Sequence, residues 1–143
     1  MTSVWGRLRR DSAGVSVIEF ALLAPVILGL MLGVLQIGVQ MLGYNAVRSV
    51  AADTVRYTMI EYQKEDKLTA DQIETKANAI AGLPPYNLSG DRFSAAVTNP
   101  ASDIAGMKKF QLVLNYTPPN TLGVLRIDAM VMTWTRVFYV TAS

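Results

Sequence analysis

The chain has 143 residues, 51% of them hydrophobic and only 17% charged, which suits one membrane segment plus one small domain. Its net charge of +2 lies entirely in Arg7, Arg9 and Arg10 against Asp11; the other ten basic and ten acidic side chains cancel, and with no basic stripe interleaved with aromatics, nucleic acid is not an expected partner. Cys and His are both absent, which excludes disulfides, zinc sites built on those ligands, Cys nucleophiles and His general bases.

The first apolar run starts at Gly14 and contains one carboxylate, Glu19, before the next charge at Arg48. A charge inside a membrane span is unfavourable and by default functional. Phe20 to Met41 is uncharged, 22 residues that cover about 33 Å at about 1.5 Å each, close to the ~30 Å hydrocarbon thickness. Three arginines precede this run, and Arg48 and Arg56 follow it tempered by Asp53, so the positive-inside bias expects a cytoplasmic N-terminus and an external remainder. The run exceeds the 7–15 or so apolar residues of a secretory signal core, although Ser49-Val50-Ala51 imitates a small-residue cleavage site. It is also too long for the buried core helix of a soluble protein. An uncleaved anchor in which Glu19 is incidental remains as the alternative, because a carboxylate near the cytoplasmic end reaches the headgroups.

Within the run, Ala21, Pro25, Gly29 and Gly33 form a ridge of small residues at intervals of four. Such spacing permits close helix–helix approach in lipid; the equal alternative is that glycine is common in membrane helices and the pattern arises by chance. Gln36 and Gln40, again four apart, are candidates for hydrogen bonds across a helix interface. Pro25 removes one backbone donor and is expected to kink or locally open the helix.

Past the span, Tyr44, Val47, Ala51, Val55, Met59 and Tyr62 recur at three and four and predict one apolar stripe on a continuing helix. Two uses fit the stripe: packing on the chain's own sheet, the usual core-facing arrangement, or a spine that packs on neighbouring subunits. Gln63 to Lys67 is a charged break. Thr69 and Gln72 then have the form of a capping box, opening a short helix that runs to about Ala81 and stops at Gly82 and Pro84-Pro85. From Phe93 the apolar period becomes two. Phe93, Ala95 and Val97 mark one short strand, and Phe110, Leu112, Leu114 and Tyr116 mark a second. A third is expected from about Leu125, apolar on both faces (Ile127, Ala129, Val131 and Val137 against Met130, Met132, Trp134 and Phe138), which predicts a central or well-covered strand. The expected fold class is α+β: a long N-terminal transmembrane helix continuing outside the membrane, a second short helix and a three-stranded antiparallel sheet. The expected division is 1–14 leader, 15–43 transmembrane helix and 44–143 extracytoplasmic domain.

No phosphate-binding glycine loop, nucleophile elbow or EF-hand loop occurs. Glu61, Glu65 and Asp66 are interleaved with Lys64 and Lys67 and read as a solvated charge run rather than a metal site. Asn87-Leu88-Ser89 has the form of a glycosylation acceptor. No catalytic residue, metal, cofactor or small-molecule substrate is expected, and the chain is not expected to be an enzyme.

The basic leader, Gly14 at a potential cut, Glu19 as the fifth residue after it and the unbroken apolar helix resemble the class III signal of type IV pilins and pseudopilins. Glu19-Phe20-Ala21, Pro25, Gln36-Ile37-Gly38, Ala46, Ala51-Ala52 and Val55-Arg56-Tyr57 narrow the resemblance to TadE-like proteins, minor pseudopilins of the tight-adherence (Tad, or Flp) pilus. That resemblance covers roughly Gly14 to Tyr57. It implies a pilin-like fold, cleavage between Gly14 and Val15 by a prepilin peptidase, and an assembly role for Glu19. It also implies residence in the bacterial inner membrane with a periplasmic domain, and contacts with membrane lipid, other pilins and the Tad assembly platform, in the service of adhesion and biofilm formation. A bitopic membrane protein whose outer domain binds a partner directly, without entering a filament, is the competing expectation.

Overall fold

The computed structural model of the chain describes residues 12–64, 67–88 and 90–142. Its first helix, α1 (Ser12–Gln63), is 52 residues long, about 78 Å at about 1.5 Å per residue. The helix continues unbroken through Pro25, so the opening expected there does not interrupt it. Two environments divide it. No residue from Gly14 to Leu35 is buried, whereas from Gln36 upward one face packs on the rest of the chain.

A second helix, α2 (Ala70–Gly82), begins as expected. Thr69 accepts the Gln72 amide N–H at 3.3 Å, and the Gln72 side chain accepts the Thr69 N–H at 2.8 Å. This reciprocal cap satisfies two of the N–H groups that a helix start leaves over. Leu83, extended before Pro84 as the proline ring requires, ends it. Three antiparallel strands follow: β1 (Phe93–Thr98), β2 (Met107–Tyr116) and β3 (Met132–Thr141), in the order β1-β2-β3. Phe93 faces Tyr116 across the first pair, and Phe110 faces Phe138 across the second.

The sheet lays one face on the two helices, so the chain is an α+β fold with its core between layers. Phe110, Leu112 and Leu114 of the central strand are at most 1% exposed and meet Val47, Val50 and Val55 of α1 with Ile73 and Ala77 of α2. The Phe110 ring stacks on Phe138 with centroids 5.6 Å apart and meets Tyr62 edge-on at 6.2 Å. The Tyr62 hydroxyl donates to the Leu68 carbonyl at 2.9 Å, tying the end of α1 to the approach of α2. Glu74 of α2 accepts the Val97 N–H at 3.3 Å, and Lys76 sits 4.4 Å from the centroid of Tyr57.

Two expectations are corrected. The buried stripe of α1 includes Val50, Thr54 and Thr58, while Tyr44 and Met59 are 45% and 41% exposed. Threonine is admitted because its hydroxyl bonds within the helix, Thr54 to the Val50 carbonyl at 2.8 Å and Thr58 to the Thr54 carbonyl at 2.9 Å, leaving a methyl to pack. The last strand begins at Met132 rather than near Leu125, and β3 is an edge strand. Ile127 to Val131 belong to the preceding loop, so the outward face of β3 proper is Thr133, Thr135 and Val137, all exposed.

Gly43 marks the closest approach of helix to sheet. A Cβ there would stand 2.8 Å from Cε1 of Tyr116 and 3.5 Å from Cε of Met132. The Tyr116 ring is 8% exposed and has little room to withdraw. Gly43→Ala gains up to about 1 kcal/mol of helix propensity, yet it is expected to lower the melting temperature of the α+β domain because the ring must shift. Gly38→Ala adds a methyl that meets nothing within 4 Å and is expected to leave that temperature unchanged; thermal melts of the two variants in detergent compare them directly.

Candidate functional site

The lower part of α1 is the exposed, chemically distinctive region of the molecule. Gly14, Val15 and Glu19 are all exposed on it, and the five steps from Gly14 to Glu19 rise about 7.5 Å. The basic leader, Arg7 to Arg10 with Asp11, lies outside the described residues. So do Glu65 and Asp66 of the acidic run and Ser89 of the glycosylation-type triplet. Glu61 pairs with Lys64 at 3.0 Å, and among the described residues no three metal-ligating side chains converge.

Ala21 and Pro25 of the small-residue ridge are exposed, and Gly29 and Gly33 are half-buried only by their own helix neighbours. A Cβ at either glycine would meet nothing within 4 Å. The ridge is therefore bare, flanked by Leu22, Leu28 and Leu30, each more than half exposed.

Gln36 ends this bare stretch. It is 4% exposed and fully engaged. Its amide donates to the Pro119 carbonyl at 3.2 Å, while its oxygen accepts from the Thr121 N–H at 2.8 Å and the Thr121 hydroxyl at 2.6 Å. Both ends of the side chain are thus occupied by the chain's own β2–β3 loop. Gln40, one turn on, is half-buried beside a groove of about 480 Å³ that Met41, Tyr44, Asn45, Met130 and Met132 also line. Above the groove Tyr44 meets Trp134 edge-on at 5.5 Å, and the Arg48 guanidinium lies 5.8 Å from the Trp134 centroid.

The latch between Gln36 and the loop has no local signature. A glutamine closing an apolar span is visible in the sequence, but its partners are 83 and 85 residues away. At the opposite end of the domain, Asp103 accepts from Tyr139 at 2.9 Å and pairs with Lys109 at 3.2 Å. The Tyr139 hydroxyl first, then the Asp103 backbone N–H and the Lys109 ammonium, hold the Asp103 carboxyl below the usual carboxylate range, and Asp103 in turn holds the Lys109 ammonium above its own. Tyr86 donates to Asp53 at 2.7 Å, and that acceptor pushes its phenol up. These are surface ties between elements rather than a reactive cluster.

Among the described residues one helix is long and apolar enough to cross a membrane, and it carries a small α+β domain on its C-terminal half, the layout of a single-pass membrane protein. A family model described as TadE-like protein matches residues 14–56, from the Gly14 junction to the packed upper part of α1. The match is consistent with a TadE-like protein of the Tad pilus system, and the sheet and α2 lie beyond it. No curated protein and no solved structure matches the chain.

Proposed function

We propose that this chain is a minor pilin or pseudopilin, an assembly subunit rather than an enzyme, that supports the assembly or initiation of a Tad-type pilus used in adhesion. The observation that carries the reading is the bare helix from Gly14 to Leu35, apolar, unburied by its own chain and bearing one carboxylate near its start. A helix of this kind is stable in lipid and leaves its whole circumference for other helices. The family match over the same residues supports the same reading. In this account the N-terminus is cytoplasmic, the α+β domain is periplasmic, and the partners are membrane lipid, a prepilin peptidase, other pilins and the Tad assembly platform.

Processing tests the proposal. A prepilin peptidase is expected to cut between Gly14 and Val15, and N-terminal sequencing of membrane-extracted protein is expected to start at Val15. Gly14→Val places a branched side chain at the cut and is expected to abolish processing while membrane insertion stays complete. A mature chain starting near Ala52 would instead support an ordinary secretory signal, and an uncut wild-type chain in cells with an active peptidase would favour the plain anchor.

A further inference from the structure

The β2–β3 loop, residues 117–131, descends along α1 to the level of Gln36, far below the sheet. Its position relative to a bilayer follows from the length of the helix. If the hydrocarbon begins at Val15, about 20 residues at about 1.5 Å bring its far edge to Gln36. If it begins at Phe20, that edge falls near Met41, and Gln36 lies about 8 Å inside it. In both registers the Gln36 latch holds Pro119 and Thr121 at or below the outer boundary of the hydrocarbon.

The loop has the chemistry for that position. Met130, Val131 and Ile127 are 65%, 59% and 50% exposed, an unusual concentration of bare apolar side chains on one connection. Met41 and Leu42 of α1, at the same height, are 65% and 75% exposed and continue the surface. The loop's backbone is tied from within between Asn120 and Ile127 and is open from Asp128 to Val131. Asn120 donates to the Ile127 carbonyl at 2.7 Å and accepts the Leu122 N–H at 3.0 Å. The Arg126 N–H donates to the Gly123 carbonyl at 3.0 Å, closing a 3-10 turn over Leu122–Leu125, with Arg126 itself left-handed at φ 58°. The tied part is able to leave water at low cost, whereas the backbone of residues 128–131 stays in the hydrated headgroup layer and only its side chains reach the acyl region. Arg126 and Asp128 are exposed and cancel, which argues against attraction to an anionic surface, and both charged heads stay at the level of the headgroups. Tyr44 and Trp134 stand just above, where an aromatic pair suits the headgroup layer.

We infer that the β2–β3 loop is a second membrane contact: Ile127, Met130 and Val131 sit in the outer leaflet beside the point where α1 leaves it, and fix the domain upright against the bilayer. The inference rests on α1 spanning the membrane. Its occupant is lipid, because the loop is held against the one surface of the molecule that is already lipid-facing.

The native chain has no cysteine, so single-cysteine variants of the full-length protein can each carry one environment-sensitive fluorophore in phosphatidylcholine vesicles. Ile127→Cys and Met130→Cys report the loop, Leu28→Cys the middle of the span, and Ser102→Cys the far end of the domain. The loop labels are expected to be blue-shifted and quenched by lipid-borne quenchers, as at position 28, while the label at 102 responds only to an aqueous quencher. Loop labels that behave like 102 while 28 is lipid-exposed would overturn the inference and leave the span intact. Loop labels shielded from both quenchers would overturn it in favour of a protein contact, and a water-exposed label at 28 would remove the span and the inference together.

Discussion

Glu19→Gln is expected to eliminate piliation, or the crosslinks of this subunit to other pilins, while the protein still accumulates in the membrane and is processed after Gly14. Glu19 is exposed on α1, and among the described residues nothing outside the helix packs on it at that level, so nothing in the described fold of the α+β domain depends on it. In lipid, replacing a carboxylate by an amide makes insertion easier rather than harder. The cost falls elsewhere. Cleavage before Val15 would create a positive α-amine roughly one turn below Glu19, in its own chain or presented by a neighbour. In low dielectric the two charges attract strongly, and removing one leaves the other unpaired, a loss of about 3–5 kcal/mol when the pair is buried. At about 1.4 kcal/mol per tenfold change, that is a loss of some two to three orders of magnitude in each assembly step. Glu19→Asp keeps the charge and is expected to retain part of the function. Wild-type piliation by Glu19→Gln would make the carboxylate incidental and favour the uncleaved anchor.

The parts of the fold carried by local chemistry were legible in the sequence. The Thr69–Gln72 cap appears as its two bonds, β1 alternates buried and exposed from Phe93 to Thr98, and β2 buries Phe110, Leu112, Leu114 and Tyr116. The face of α1 was harder to read because Thr54 and Thr58 count as polar by composition yet bury their methyls once their hydroxyls bond to the helix. The β2–β3 loop was misread for a related reason. Its apolar residues imitate the two-sided pattern of a central strand, while its backbone bonds run from Thr121, Arg126 and Ile127 to Gln36, Gly123, Leu122 and Asn120, and Asp128 to Val131 join no ladder. Periodicity detects what a segment would bury, and a loop built to face lipid gives the same signal as a strand built to face a core.

The largest effect on stability is expected at Phe110. Its side chain is 1% exposed at the middle of the central strand, stacked on Phe138 and edge-on to Tyr62, so it joins β2, β3 and the upper end of α1 at one point. Truncation to Ala removes the transfer energy of the ring and leaves a cavity that two neighbouring rings cannot fill without losing their own contacts, a cost of about 3–5 kcal/mol. Small domains have about 5–15 kcal/mol in total, so the variant stands close to unfolding. Read by near-UV circular dichroism of the detergent-solubilised chain, Phe110→Ala is expected to lower the melting temperature by about 12 °C or more, while the far-UV signal of the membrane helix persists. Phe110→Leu keeps most of the apolar volume and is expected to cost distinctly less. Phe138→Ala made in the Phe110→Ala background is expected to cost less than Phe138→Ala alone, because the stacking partner is already gone. A melting temperature for Phe110→Ala within a few degrees of wild type would mean that the sheet does not close on α1 at this level.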